Sequence, residues 1–592
     1  MAGPTLGAWS VIGGLLMAGL TPAFGQTVER HPAPVLAGAQ GTALTTAGLA
    51  NGSQDATPFG VALSAVVVVD AHTHGPGVVR RTGGGAVDTT LAGPTAQSDE
   101  LRATLAKFVG QPLSYRLITA LEAEITKFYR GNGRSLVSVT VPPQEVTGGV
   151  VQINVNTFVL DKTQIEGAAG NQGFVARQIR LKPGQEVDTD KLLADVNWLN
   201  LNPFRHVSVV FEPGAAPDST NLILKVQNGR PWSAYLGASN AGTKDTGEAR
   251  LFGGFNMSAL PWQDHQLSYQ FNGSPDSLAH GDLWNTGTSK GYLSHALTYF
   301  IPITTNSGFR SKLTFGVSHI SSYSVPNPIF TTGSETSVLN AELAFPLPKT
   351  SGAISLVPEV YLQAEADTYD KQPYFVGFPF GAEKTKLVHG VIGVRAGMSG
   401  TIMGKKTRGN LDLGLVFGRQ TTVGDAAVTY SAVKLAASQE VFFDRDRSVN
   451  LRVNAQYSGA DGRNGRPVLH PLEQLALGGS GTVRGYPVNG ASGQTAVAAS
   501  VEYRAAPLAF KAGKADGTLR PHVFADLGAV RDSTSAIGTR VAGQHLMALG
   551  LGGDIAIGDN LVGTIDLAKA LSDAGVTTKG TVSLAVQFTA RF

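Results

Sequence analysis

Few residues of this 592-residue chain have the type and spacing that carry chemistry. There is no cysteine, which excludes disulfides, thiolate metal ligation and cysteine nucleophiles. No Gly-x-x-x-x-Gly-Lys-Ser/Thr phosphate loop occurs, so nucleotide-driven work has no foothold. His72 and His74 stand beside Asp70 without HExxH or any other zinc spacing, and they read as a strand end or loop. Asp444, Arg445, Asp446 and Arg447 alternate in sign after Phe442 and Phe443, the pattern of a solvated turn. No catalytic residue, metal or cofactor is expected. What remains is a guanidinium and a carboxylate. Arg484 lies in Glu473-Gln474-Leu475-Ala476-Leu477-Gly478-Gly479-Ser480-Gly481-Thr482-Val483-Arg484-Gly485-Tyr486, and Asp526 in Phe524-Ala525-Asp526-Leu527-Gly528. Two such groups can join through parallel hydrogen bonds that orient as well as attract.

The elements that must position them begin with an export signal. Leu6 to Leu20 is apolar apart from Ser10, and small residues at Ala23 and Gly25 predict cleavage before Gln26, so residues 1–25 read as a signal peptide. Residues 26–58 read as a linker or marginal helix, its best helical stretch running from Val35 to Ala50. No later run reaches 18 apolar residues. A mature chain resident in a membrane must therefore cross it as a closed β-barrel, since only helices and barrels satisfy every backbone group in hydrocarbon.

Residues 59–156 form a first α+β unit. A valine-rich strand is followed by helices at Ser98–Val109 and Ser114–Arg130, with Leu101, Leu105 and Phe108, then Leu117, Leu121, Ile125 and Phe128 at helical spacing. Strands Leu136–Val141 and Val150–Asn156 complete it. The same order recurs over 157–228: a strand, helices at Gln172–Ile179 and Asp188–Leu199, and strands at Val207–Phe211 and Leu222–Val226, which signals tandem modules.

From 229 onward helical spacing gives way to alternation. Leu451, Val453, Ala455 and Tyr457 alternate with Asn450, Arg452, Asn454 and Gln456; Val497, Ala499 and Val501 with Ala498, Ser500 and Glu502. Val582, Leu584, Val586, Phe588, Ala590 and Phe592 share the face of the last segment. Strands whose two faces see different media show this pattern. At roughly 22 residues per strand and connection, the region holds about sixteen antiparallel strands. Composition agrees: 73 glycines and only 15% charged residues suit lipid-facing strands and tight turns. A net charge of +3 gives no field for nucleic acid.

The segment Glu473–Tyr486 resembles the long inward-folded loop, with its Val-Arg-Gly-Tyr tip, of the two-partner secretion transporters (the TpsB family of haemolysin secretion and activation proteins) in the BamA superfamily. Phe524–Gly528 is similar to the family's Phe-x-Asp-x-Gly strand motif, which faces that tip from the barrel wall. The tandem modules resemble two periplasmic POTRA domains, and Phe592 resembles the terminal aromatic read by the barrel assembly machinery. The resemblance implies a loop tip formed by Val483, Arg484, Gly485 and Tyr486, with Phe524, Asp526 and Gly528 as its seat. An arginine inside a barrel is costly unless paired, and Asp526 supplies the partner.

The resemblance further implies an outer-membrane, non-enzymatic transporter that exports a large adhesin- or haemolysin-type partner protein, with the outer-membrane lipid and the assembly machinery as further partners. Val150–Asn156 and Val207–Val226 are the segments expected to hold an extended peptide. A BamA-like insertase shares the loop motif and is the alternative. A passive porin would need no modules.

Overall fold

The computed structural model describes residues 53–167, 170–258, 261–279, 282–327, 329–350, 352–460, 468–534 and 540–592. The expected signal peptide at 1–25, and the 26–58 segment up to residue 52, lie outside them.

The first module comprises β1 (Ala65–Asp70), α1 (Asp99–Ala106), α2 (Tyr115–Gly131), β2 (Val137–Thr140) and β3 (Val150–Thr157). The helices start where serines cap them: Ser98 Oγ accepts from Glu100 N–H and Ser114 Oγ from Leu117 N–H. Leu101, Leu105, Leu121 and Ile125 are fully buried against Val66, Val68, Val151 and Ile153. At the end of β1, Asp70 accepts from the N–H of His72 and the hydroxyl of Thr73. That bonding caps a one-turn helix, Ala71–His74.

The second module repeats the plan with β4 (Val159–Glu166), α3 (Gln172–Gln178), α4 (Thr189–Leu199), β5 (Arg205–Pro213) and β6 (Ser219–Asn228). Its sheet runs β4-β6-β5 over a core of Leu160, Val175, Leu192, Val196, Val207, Leu222 and Leu224. Arg134, just past α2, joins the modules through Glu186 at 2.8 Å and Asp188 at 3.2 Å. Burial pushes the Asp188 carboxyl up, but the Lys191 N–H it caps, with the cations of Arg134 and Lys191, outweighs this and lowers its pKa.

The strand order corrects one expectation. Val150–Thr157 lies between β1 and β2, and Ser219–Asn228 between β4 and β5, so neither is an edge on which a peptide can pair along its length. Where β3 extends beyond β2, the Gln144 side-chain amide takes both backbone groups of Gln152. The sheet of the second module has two edges, β4 and β5; β4 is covered at Leu160 by Gln185 and Gly184, and the other edge, β5, falls within the expected Val207–Val226. Asn200 closes it at Val207, binding that residue's N–H and C=O. By antiparallel alternation the backbones of Val209 and Phe211 point the same way, with no partner among the described residues.

From Trp232 a single antiparallel sheet closes on itself. Its strands are β7 (Trp232–Ser239), β8 (Arg250–Ser258), β9 (Gln266–Gly273), β10 (Gly291–Thr304), β11 (Arg310–Ser324), β12 (Phe330–Pro346), β13 (Ile354–Phe375) and β14 (Glu383–Ile402). There follow β15 (Lys405–Thr422), β16 (Val428–Phe442), β17 (Ser448–Ser458), β18 (Ala496–Arg504, continued by Leu508–Ala512), β19 (Ala515–Val530), β20 (Gln544–Ile557), β21 (Leu561–Ala570) and β22 (Val582–Arg591). Sixteen strands make the ring. Its outward face is apolar, with Leu339, Leu362, Ile392, Leu415, Phe417 and Leu551 exposed, while Thr336, Glu365, His389, Asp412 and Lys434 are buried inward. Such inversion of the soluble pattern is what lipid outside and water inside demand.

Connections differ between the two ends. Met403–Gly404 alone joins β14 to β15, at the end where β7 begins. The opposite end carries the long connections, the longest running from 459 to 495. Asp444–Arg447 is a tight exposed turn at the first end, with Arg447 bonded to Asp444.

The ring closes between β22 and β7, from Arg591↔Tyr235 to Gln587↔Ser239. Phe592 sits in this seam: its backbone N–H donates to Ala234 O, and its C=O accepts from Ala234 N–H. The Asn240 side chain extends the seam by donating to Leu584 O and accepting from Val586 N–H.

Candidate functional site: the inward loop and its seat

The connection between β17 and β18 turns into the barrel. Its root is a single turn, Pro471–Glu473, followed by a short hairpin that pairs Leu475–Leu477 with Ala491–Gly493. Residues 478–490 form the tip. Leu475, Leu477 and Val483 are fully buried against Ala496, Ala498, Leu546 and Ala548 of the wall, so the loop is packed rather than free in the lumen.

At the tip the structure brings Arg484 onto Asp526 of β19. Arg484 Nε donates to Asp526 Oδ2 at 2.8 Å and Nη2 to Oδ1 at 3.0 Å, the parallel two-point geometry. The Arg484 backbone N–H donates to the same carboxylate at 3.0 Å. Three further partners had no signal in the motif spacing. Nη1 donates to Glu502 Oε2 at 2.7 Å, Nη2 to Ser500 Oγ at 3.2 Å, and Asp566 lies 3.7 Å from Nη1. The Phe524 ring centroid lies 3.3 Å from the guanidinium carbon, a cation–π contact strengthened by burial. Arg484 is 5% exposed and Asp526 0%.

The neighbouring residues shape the seat. Gly485 has φ +91°, and a Cβ there would meet the methyls of Ala548 and Ala568 at 3.3 and 3.4 Å. Gly528 leaves the space that Val483 fills: a Cβ on it would stand 2.8 Å from Val483 Cγ2 and 3.0 Å from Leu477 Cδ1. The Tyr486 hydroxyl lies 2.9 Å from both Met547 O and Ser572 O, either of which can take its proton, and accepts from Met547 N–H at 3.0 Å. Val483, Arg484, Gly485, Tyr486, Phe524, Asp526 and Gly528 therefore all take part in the loop seat. Phe592 does not; it belongs to the strand seam.

Glu502 and Ser500 were within reach of sequence reasoning. They share the inward parity of β18, and register sets Ser500 opposite Asp526 and Glu502 opposite Phe524. The root contacts were not. Glu473 lies against His389 of β14 at 3.2 Å and Lys434 of β16 at 3.5 Å. Glu365, His389 and Glu473 bring donor atoms within 4.8 Å of one another, with the Lys434 ammonium already a fixed cation beside them.

The arrangement contains no nucleophile paired with a base; it is a loop held in a lumen by buried charge. Comparisons with known proteins agree with that reading. Residues 407–576 match the Omp85 superfamily domain, and residues 90–157 the POTRA domain, ShlB-type. The heme/hemopexin transporter protein HuxB of Haemophilus influenzae is 28% identical over 171 residues, which is 28% of this chain and 30% of that protein. The chain thus matches under a third of that relative's length. Among solved structures, CdiB from Escherichia coli aligns over 100% of both chains at 18% identity with a TM-score of 0.65. CdiB from Acinetobacter baumannii aligns over 90% of both at 15% identity with a TM-score of 0.60. Both show the same fold.

Proposed function

We propose that the chain is an outer-membrane barrel of the Omp85 superfamily with periplasmic POTRA modules, and that it exports a large partner protein by two-partner secretion. The ShlB-type POTRA match favours a transporter for one cargo over a general insertase. The carrying observation is a barrel whose polar lumen holds a loop pinned at its tip by Arg484, with modules that offer an open strand edge at Val209 and Phe211.

An unfolded cargo in the periplasm needs a site that reads backbone rather than a folded surface. The Val209–Phe211 edge of β5 presents unpaired N–H and C=O groups on which an extended strand can add, and the core-facing side chains of β5 hold that edge rigid. Passage then follows the polar inner face of β10–β13. No nucleotide is required, because a cargo that buries apolar surface on folding outside does not readily slide back. In this reading the protein is not an enzyme, and lipid and the assembly machinery are partners of its residence and biogenesis.

Deleting the coding sequence should remove one large protein from the culture medium and leave other outer-membrane barrels at normal abundance. Restoring the chain should restore that protein. Loss of many barrels instead would indicate an insertase, and an unchanged medium would refute export.

A further inference from the structure

We propose that the inward loop is fastened at both ends, and that Glu473 is the positioning residue of a second latch on the wall that faces the Arg484 seat. The tip is seated on β18, β19 and β21, while the root is seated on β14–β17. His389 on β14 and Asp566 on β21 stand seven strands apart in a ring of sixteen, so the loop spans nearly the full width of the lumen. A loop tied only at its tip could swing about its root; one tied at both ends is a strut.

The root is built as a fastening. Glu473, 1% exposed, has His389 at 3.2 Å on one carboxylate oxygen and Lys434 at 3.5 Å on the other. The Gln420 amide of β15 donates to Val468 O at 2.7 Å and accepts from His470 N–H at 2.9 Å, so one side chain takes two backbone groups. Gln456 of β17 donates to Glu473 O and Gln494 O, joining the two legs of the hairpin. His470 Nδ1 accepts from Leu472 N–H, which leaves Nε2 as donor toward Glu383 of β14 at 3.3 Å. Leu469 and Leu472 are buried on the same wall. Side chains from four consecutive strands therefore converge on Val468, His470, Glu473 and Gln494 of the loop.

The two latches differ in what opening leaves behind. Withdrawing Arg484 strands Asp526 without its cation in a buried site, while Glu502 keeps only Arg504 at 2.9 Å. Withdrawing the root leaves Gln420, Gln456 and Glu383 facing the lumen, where water replaces the loop backbone, and leaves Lys434 and His389 on the wall with the Glu365 carboxylate still beside the imidazole. The root is the end that can release while the tip stays seated.

Conductance of the full-length protein in planar bilayers tests this without any cargo, so failure here and failure of the export reading are distinguishable. Glu473→Gln should raise the fraction of time spent in the high-conductance state about fivefold, with barrel abundance and heat resistance unchanged. The double variants with His389→Gln and with Lys434→Gln should open no more than the stronger single change, because all three act on one contact. Gln420→Ala, which removes two bonds to the root and touches no buried charge, should act in the same direction should Glu473→Gln fail to assemble. An unchanged open fraction in assembled barrels would overturn the latch, as would additive effects of Glu473 and its two wall partners.

Discussion

Arg484→Ala should leave the barrel assembled in the outer membrane and reduce export of the partner protein by more than about tenfold. The physical ground is the asymmetry between making and breaking a buried pair: removing one partner leaves a charge with neither water nor counterion, at a cost of roughly 3–5 kcal/mol. Here Asp526 loses its cation and Glu502 loses one of two, keeping Arg504 at 2.9 Å, and both are buried. The wall strands carrying them are held by continuous ladders, β18 to β19 and β19 to β20, so the barrel survives while the tip leaves its seat. Arg484→Lys should not restore export, because a single ammonium cannot span both oxygens of Asp526 and reach Glu502. Exchanging the charges, Arg484→Asp with Asp526→Arg, should recover part of it only if the pair acts as a unit. Export assayed at matched barrel abundance decides the matter; normal export from Arg484→Ala would remove the loop tip from the mechanism.

Val209→Pro should produce the second large effect, by a different route. The Val209 N–H points along the open side of β5, not into the ladder with β6, so a proline there deletes a donor that the folded module does not use. The incoming strand loses that hydrogen bond and meets the ring. Retained POTRA folding with about a tenfold loss of export is the expected result, consistent with one or two backbone bonds at about 1 kcal/mol each. Resistance of the modules to limited proteolysis separates this from misfolding. Ser208→Pro is the contrasting variant: its N–H belongs to the inner ladder, and it should unfold the module. Equal export from Val209→Pro and the unaltered chain would rule out β5 as the capture edge.

Much of this architecture was legible before any coordinates, because alternation and helical spacing are properties of consecutive residues. The apolar outer face and polar inner face of the barrel are one such pattern, and Leu101–Leu105 and Leu117–Leu121–Ile125 are another. Long-range placement was less accessible. Which strand of a module lies at its edge depends on sheet order, and Val150–Thr157, rich in valine and alternating, has the composition of an edge and a center alike. The seat of Arg484 divides the same way. Asp526 could be named from a local motif, whereas Glu502, Ser500 and Asp566 come from β18 and β21 and need the register to be seen. The root latch needs still more: Glu473 meets His389 and Lys434, 84 and 39 residues upstream, and no local pattern links them. The backbone pairing of Phe592 with Ala234 in the closing seam likewise needs the sheet order to be seen.

The central claim is that a polypeptide passes through this lumen, and cross-linking from the lumen wall tests it most directly. Ser318 on β11 faces inward, on the part of the wall away from the loop, and its neighbor Val317 faces lipid. A photoreactive residue at position 318, irradiated during export, should yield a covalent adduct with the partner protein, and the same group at 317 should yield none. Adducts at neither position while export proceeds normally, or equal adducts at both, would contradict passage through the barrel.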